Sequence, residues 1–419
     1  MPQMKKHGVM LFTFVILFLT LGCDLAYGQG EEGNEKEEVT VTLNFSKEGA
    51  FGLKNNNANN NQSVQTDITF KVQDLSVSLR GMICYHEGEN TYLRLDKWYN
   101  NPGQINISVP NSALINSVTL GTNGYKIANL NANYRGREKK IDVDANETTT
   151  ISLINSDNIS FIEKGGKSGD KSFITSITLT YTRPKLDATL DEKALDAEST
   201  IKGIVGENKT LALNRTFNPS QLYTMCLPFN LSKEMIKGIF GSETKVYSYA
   251  GYQNGELSFS TVKEDVVKAG MPFLMRPEYY VEQPTFAGVI VESTTAPKIV
   301  TGGEWDFYGT YESHKLEADG TQLFLTADGT LAKPKAGLQT MRGFRCYLKK
   351  HTGTANGSAQ LPSVTIDGET NAIKTAEYAA PTSATTAYSL SGMKLNAGCK
   401  TANGGIMIID GKKFITTNR

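Results

Sequence analysis

Short runs in which apolar and polar residues alternate dominate the first part of the chain, up to about residue 182. Three runs show the pattern clearly: Val64, Ile68, Phe70 and Val72; Ile105, Ile107 and Val109; Ile177, Leu179 and Tyr181. A period of two places alternate side chains on opposite faces of a strand, so each run predicts a half-buried antiparallel strand. About eight to ten such runs, separated by turns rich in Asn, Gly and Ser, predict a jelly-roll-like β-sandwich over residues 39–183.

The strand pattern resumes further along and predicts a second antiparallel β-sandwich over residues 203–352. One helix interrupts it, because Ser232 is a good N-cap, Glu234 suits the first helical turn and Gly241 ends the pattern. An apolar stripe lies between them: Met235, Ile236, Ile239 and Phe240. The chain is therefore predicted to be all-β, with one short helix in its second domain.

The two predicted sandwiches are separated by a charged, weakly patterned segment, residues 184–202. Pro184 blocks continuation of the preceding strand, so we interpret this segment as a linker. A small β tail is predicted over residues 361–419, with three short strands. Asp410-Gly411 joins the last two and is a strong short signal for a hairpin.

The N-terminus has the pattern of a secretory signal peptide over residues 1–28. Lys5 and Lys6 precede an apolar run over residues 8–22, and Ala26-Tyr27-Gly28 is a small-residue cleavage site. The run is shorter than the roughly 18 to 20 apolar residues that a membrane span needs. We expect cleavage after Gly28 and a secreted or surface-exposed product. The alternative is lipidation of Cys23, whose preceding residues approximate a lipobox, and a lipid anchor is then the only membrane attachment expected.

Composition limits the partners and the covalent framework. Acidic and basic residues balance at 43 each, so no nucleic-acid partner is expected. Four cysteines follow the signal peptide: Cys84, Cys226, Cys346 and Cys399. They are too few for a disulfide framework in a chain of this size, and buried free thiols are the favoured interpretation, with the pairings left open.

Motifs for catalysis, metals and cofactors are largely absent from the sequence. The chain has no G-x-S-x-G elbow, and the nearest approach to a metal cluster, Cys84-x-His86-Glu87, lacks a second pair of ligands. Paired carboxylates for glycoside hydrolysis remain open, because their separation is set by the fold. We therefore expect no enzymatic activity, no metal and no cofactor.

The most informative polar and aromatic cluster supplies the candidate ligand-binding residues Arg94, Trp98, Tyr99 and Tyr134. Aromatic side chains with polar tips near loop ends suit stacking on sugar rings or contact with a protein. The competing interpretation is that Trp98 fills the end of the sandwich.

Three segments of the chain resemble secreted and cell-surface proteins of the Bacteroidales. The ending from Ala387 to Leu395, followed by Gly404 to Phe414, is similar to C-terminal domains that the type IX secretion system recognises, with Met407 where Tyr is usual. The succession Cys226-Leu227-Pro228-Phe229, Ala269-Gly270-Met271-Pro272-Phe273-Leu274 and Met341-Arg342-Gly343-Phe344-Arg345 resembles an adhesin module. The stretch from Phe173 to Tyr181 is similar to β-sandwich modules appended to secreted hydrolases. These resemblances imply a surface location and secretion machinery as a partner of the tail.

The sequence leaves three function classes open. The favoured one is an exported, non-catalytic surface protein that binds a glycan or a host protein. The second is a secreted hydrolase or its accessory subunit, and the third is a structural surface protein.

Overall fold

The described chain is built mostly of β-strands with two α-helices, which confirms the all-β prediction. The computed structural model describes residues 35–56, 64–88, 90–98, 100–110, 112–165, 171–219, 221–335, 340–351, 361–371, 387–389, 394–395, 406–409 and 412–415. The described residues from Lys36 onward belong to one compact unit. The predicted signal peptide and Cys23 lie outside the described residues. No described helix has the length and apolar character that crossing a membrane requires.

The first sandwich spans residues 36–184. Its strands are β1 (Lys36–Asn44), β2 (Val64–Val72), β3 (Leu75–His86), β4 (Tyr92–Trp98), β5 (Asn101–Pro102), β6 (Gln104–Ser108), β7 (Leu114–Gly121), β8 (Ile127–Tyr134), β9 (Arg137–Val143), β10 (Thr148–Ser156), β11 (Asn158–Glu163), β12 (Lys171–Ile174) and β13 (Ser176–Pro184). A short 3-10 turn, Ala50–Gly52, follows β1.

Two sheets of the first sandwich enclose one apolar core. The smaller has the order β1-β13-β7-β10, and the larger contains β2-β3-β6-β11-β8-β9 with β4, β5 and β12 attached. The predicted alternation is confirmed at Ile105, Ile107, Ile177 and Leu179, which are all fully buried. Ile68 is an exception, since its side chain is 39% exposed.

The second half, residues 188–371, is divided into more and shorter strands. They are β14 (Ala188–Asp191), β15 (Gly206–Asn214), β16 (Thr216–Phe217), β17 (Tyr223–Met225), β18 (Leu231–Ser232), β19 (Lys245–Gln253), β20 (Glu256–Thr261), β21 (Val266–Val267), β22 (Phe273–Arg276), β23 (Tyr280–Glu282), β24 (Thr285–Val291), β25 (Ile299–Val300), β26 (Trp305–Thr310), β27 (His314–Lys315), β28 (Gln322–Leu325), β29 (Leu331–Ala332), β30 (Thr340–Met341), β31 (Arg345–Lys350), β32 (Ser363–Ile366) and β33 (Glu369–Asn371). The helices are α1 (Ala197–Gly203) and α2 (Lys233–Phe240).

Several small sheets of the second half surround a single core. The main ones have the orders β17-β22-β19-β20-β32-β33 and β25-β26-β31-β28-β29. The predicted helix is α2: the Ser232 hydroxyl accepts a hydrogen bond from the Met235 backbone N–H at 3.2 Å, and Ile236 and Phe240 are buried. Parallel pairing of β20 with β32 places residues 361–371 in this half, although they were predicted to begin the tail.

One short strand of the second half extends a sheet of the first sandwich. β23 pairs in parallel with β2, with Tyr280 opposite Phe70, and β16 pairs with β23 on its other side. Tyr280 packs against the first core, where its ring centroid lies 6.1 Å from that of Phe51, whereas Val281 is fully buried in the second core. The two halves therefore share a continuous sheet.

The segment 184–202, predicted to be a linker, contributes instead to the second core. β14 pairs in parallel with β15, and the Asp196 carboxylate caps α1 by accepting a hydrogen bond from the Ser199 N–H at 3.0 Å. Leu190, Ala197 and Ile201 are buried in the second core. The segment contains few apolar residues, but these three are buried, so the interpretation as a linker is corrected.

The tail strands are β34 (Ala387–Ser389), β35 (Lys394–Leu395), β36 (Ile406–Ile409) and β37 (Lys412–Ile415). They form a sheet of order β35-β34-β36-β37, one strand more than the sequence indicated. Ile409 stands opposite Lys412, the pairing expected of the predicted hairpin, while Asp410-Gly411 lies outside the described residues.

The packing of β14 gives a stability prediction. Leu190→Ala should lower the free energy of unfolding by about 2 to 4 kcal/mol, because it leaves a cavity where a side chain is buried. Leu195→Ala, five residues further on at an 88% exposed side chain, is the matched control and should change it by less than about 0.5 kcal/mol. Denaturant titration measures both. Equal effects would mean that the segment is no more than a linker.

Candidate functional site

Three adjacent strands of the first sandwich, β3, β4 and β12, carry an organised set of side chains on the face away from the core. Leu93 and Leu95 of β4 are fully buried in the core, so alternation places Tyr92, Arg94 and Asp96 on the opposite face. In the pairing register, Arg94 stands between Cys84 of β3 and Phe173 of β12.

Four rings on this face form what we call the aromatic cluster: His86, Tyr92, Tyr125 and Phe173. Tyr125 stacks on Phe173 with ring centroids 4.5 Å apart and an interplanar angle of 16°. Tyr92 meets both edge-on at 5.1 Å, and His86 stacks on its ring at 5.0 Å. Tyr92 is buried, whereas the other three rings are partly exposed, so the cluster presents ring surface to solvent above a packed base.

The loop between β7 and β8 holds Tyr125 over the sheet. Gly124 adopts a φ of 73°, a conformation that favours glycine, and its N–H donates to the Asn146 side-chain oxygen at 2.7 Å. The Phe173 N–H donates to the Lys126 backbone carbonyl at 3.2 Å, which joins the loop to β12. Tyr125 is therefore positioned by backbone hydrogen bonds on both sides of it.

Arg94 lies beneath the rings and is only 2% exposed, so it does not form part of a ligand-contacting surface as the sequence predicted. Its Nε lies 3.2 Å from Asp96 Oδ1, and its charge opposes the rise in pKa that burial gives the neighbouring Tyr92 hydroxyl. A buried charge is stable only when it is paired and hydrogen-bonded. Arg94 thus supports the aromatic cluster from below.

The other predicted site residues do not come together with Arg94. Tyr134 ends β8, whereas β12 contacts the beginning of that strand, where Ser172 Oγ donates to the Ala128 carbonyl at 2.9 Å. Six residues of extended strand span about 20 Å, so Tyr134 lies away from the aromatic cluster. Its side chain packs against the first core. Trp98 is the last residue of β4, and its side chain and Tyr99 lie outside the described residues.

Sequence reasoning missed His86, Tyr92 and Phe173 as members of a site. The available signal was their position: each is an aromatic side chain next in sequence to a core residue. His86 follows Tyr85, Tyr92 precedes Leu93, and Phe173 precedes Ile174. Alternation shows that such rings face away from the core. It does not show that β4 and β12 are neighbours, because that pairing joins segments distant in sequence.

The chemistry of this face does not favour nucleophilic catalysis. Burial raises the pKa of the Cys84 thiol to about 11, against the opposing effects of Arg94 and Lys171, so the thiol is protonated at neutral pH. Within the described ranges, no three His, Cys, Asp or Glu side chains are grouped to hold a metal ion. Partly exposed Lys171 lies two residues before Phe173 on the same face of β12, and exposed Lys126 follows Tyr125 in sequence. Apolar ring faces bordered by polar groups are suited to a ligand with both characters.

Comparison with known proteins places the chain in no family. No family model matches it, and no curated protein gives a significant match. The family 32 CBM from C. perfringens NanJ in complex with galactose is similar at 16% identity, covering 27% of this chain and 99% of that one, with a TM-score of 0.19. The binding domain of botulinum neurotoxin DC in complex with rat synaptotagmin II matches at 8% identity over 68% of this chain and 95% of that one, with a TM-score of 0.16. Scores of this size do not extend either protein's ligand to this chain.

The three described cysteines, Cys84, Cys226 and Cys346, are free and buried, while Cys399 lies outside the described residues.

The raised pKa of the Cys84 thiol gives a prediction for how stability depends on pH. A thiol whose pKa is higher in the folded state disfavours folding once the pH exceeds its unfolded value of about 8.5. Stability should therefore fall as the pH rises from about 8.5 towards about 11.

Comparison with Cys84→Ala isolates this contribution, because the other titrating groups are the same in both proteins. We expect denaturation midpoints of the unmodified protein to fall more steeply with pH than those of the variant. Parallel curves would contradict the burial of the Cys84 thiol.

Proposed function

We propose that this protein is an exported, non-catalytic carbohydrate-binding protein whose first sandwich binds a glycan at the aromatic cluster. The observation that supports this proposal is the partly exposed stack of Tyr125 on Phe173, held by Tyr92 and His86 on the sheet face away from the core. A sugar ring has an apolar C–H face that packs on such rings and hydroxyls that need polar partners.

The supporting structure beneath the rings favours a preformed site. Tyr92 contacts both outer rings edge-on, and the buried ion pair of Arg94 with Asp96 lies on the same face of β4. Rings that are already ordered lose little conformational entropy on binding. Lys171, two residues before Phe173 on β12, and Lys126, next in sequence to Tyr125, are polar side chains available to the hydroxyls of a stacked sugar.

Truncation of the outer rings tests the proposal. A glycan microarray identifies the best ligand, and calorimetry with that glycan should show Phe173→Ala and Tyr125→Ala each weakening binding about tenfold or more, since each removes stacking area. Tyr308→Ala is the matched control. Tyr308 is a partly exposed tyrosine that stacks on Tyr347 at 5.3 Å in the second half, so its loss removes a similar ring from elsewhere.

Three results would contradict this proposal. Unchanged affinity in both ring variants would remove the aromatic cluster as the site. Turnover of a bound glycan would place the protein with hydrolases, and saturable binding to a host protein with no glycan bound would make it a protein-binding adhesin.

Export and surface display belong to the same proposal. The basic residues Lys5 and Lys6, the apolar run and the Ala26-Tyr27-Gly28 site support entry into the secretory pathway. The likeness of the tail to type IX sorting domains of Bacteroidales proteins supports a role for residues 388–419 in reaching the surface. A glycan-binding face is useful to a protein that meets glycans outside the cell.

Deletion of residues 388–419 in a type IX-competent host tests the sorting role. We expect the truncated protein to stay folded but accumulate in the periplasm, while the full chain reaches the surface. Mass spectrometry of the full chain should show Gln29 as its N-terminus. A diacylated or triacylated Cys23 would contradict cleavage after Gly28. Unchanged surface location of the truncated chain, with a lower melting temperature, would make the tail a structural element only.

A further inference from the structure

A second candidate site lies in the second half, remote in sequence from the aromatic cluster. It is a cavity of about 280 Å³ between β28, β30 and β31. Arg342 and Arg345 line one end of it, and Phe324, Leu325 and Met341 line the other walls. This volume lies just below the roughly 300 Å³ at which small-molecule sites usually begin, so only a compact ligand, of about one sugar or one amino acid, fits.

One end of the cavity carries more positive charge than the fold neutralises. Arg342 Nη1 and Arg345 Nη2 each lie 2.6 Å from a different oxygen of the Glu192 carboxylate. Arg215 Nε, deeper in the core, lies 3.6 Å from the same group. Three guanidinium groups thus surround one carboxylate, and none of the described residues lining the cavity is acidic.

The ionisation of Glu192 shows that this positive environment is strong. Burial disfavours the charged carboxylate, yet the charge of Arg345 and the hydrogen bonds from Arg342 and Arg345 outweigh it and lower the pKa of Glu192. Burial and the charge of Arg345 in turn lower the pKa of Arg215. A second anion beside these groups would relieve repulsion among the arginines.

Donor groups remain available after Glu192 is satisfied. Arg345 spends Nη2 on Glu192, and its side chain is 30% exposed. Arg342 is half exposed at 52% of its side chain and spends one nitrogen on Glu192. A guanidinium carries five N–H donors in a planar fork that matches a carboxylate.

The remaining walls define the rest of the ligand. Leu316, Phe324, Leu325 and Met341 are apolar, and Thr224 and Thr340 add hydroxyl-bearing side chains. Inorganic anions would leave these apolar walls without a partner. A carboxylate attached to a compact organic body uses both ends of the cavity.

We infer that this cavity binds a compact organic carboxylate, whose carboxylate lies against Arg342 and Arg345 and whose body fills the apolar end. The ligand is either an acidic sugar or a free organic acid, since both present the same chemistry. This site is independent of glycan binding at the aromatic cluster.

Paired probes test the inference by calorimetry on the full exported chain. D-glucuronate is compared with D-glucose, and benzoate with benzamide, at low salt. At least one carboxylate should bind at least about tenfold more tightly than its neutral partner, because only the carboxylate meets the free guanidinium donors. Preference for glucuronate identifies the acidic sugar, and preference for benzoate identifies the free acid.

Variants separate the site from nonspecific charge effects. Arg342→Gln should weaken carboxylate binding about tenfold, whereas Arg80→Gln, a control at an ion-paired arginine with a 62% exposed side chain in the first sandwich, should leave it unchanged. Leu325→Trp fills the cavity without altering any charge and should abolish binding, which keeps the test valid if loss of Arg342 impairs folding. Equal binding of acid and neutral partner, no binding of either acid below about 10 mM, or full binding by Leu325→Trp would overturn the inference.

Discussion

The pairing of β23 with β2 is the interaction on which the arrangement of the two halves depends. Because successive side chains of a strand point to opposite faces, β23 inserts Tyr280 against the first core and Val281 into the second. A strand of three residues thereby links two apolar cores that are otherwise separate clusters. The backbone also contributes, since the Gln73 N–H just after β2 donates to the Glu282 carbonyl at 2.7 Å. Hinge motion between the halves would have to break these hydrogen bonds and expose Val281.

The sequence predicted local structure well for most elements that bury one face, with Ile68 as an exception. The alternation around Ile105 and Ile177 and the stripe of α2 each follow from burial of one face, and both are confirmed. The segment around Leu190 was misinterpreted because a four-residue strand is too short to show a period. Its partner in the sheet, β15, is parallel and separated by α1, so no turn signal announces the pairing. Long-range pairing of short strands is the information that single-sequence periodicity lacks.

The candidate site shows the same limit. Arg94 stood out in the sequence as a charged residue beside aromatics, but its position in β4 between Cys84 and Phe173 buries it. In the sequence Phe173 looked like an ordinary strand residue, yet it is half of the partly exposed ring stack because the loop at Gly124 holds Tyr125 above it. Residue type indicated the chemistry that the first sandwich has available. The register of β3, β4 and β12 decided which of these residues face solvent and which are buried.

Charge balance distinguishes the two arginine environments and explains why one is structural and the other is proposed as a ligand site. Arg94 is ion-paired with Asp96 and has almost no exposure, so its charge is balanced within the fold. At Glu192 a single carboxylate serves three arginines, and two of these line a cavity. A fold that needed only to anchor β14 and β31 would be served by one arginine, because like charges held together cost stability. The excess guanidinium donors beside open volume are the arrangement that a carboxylate would complete.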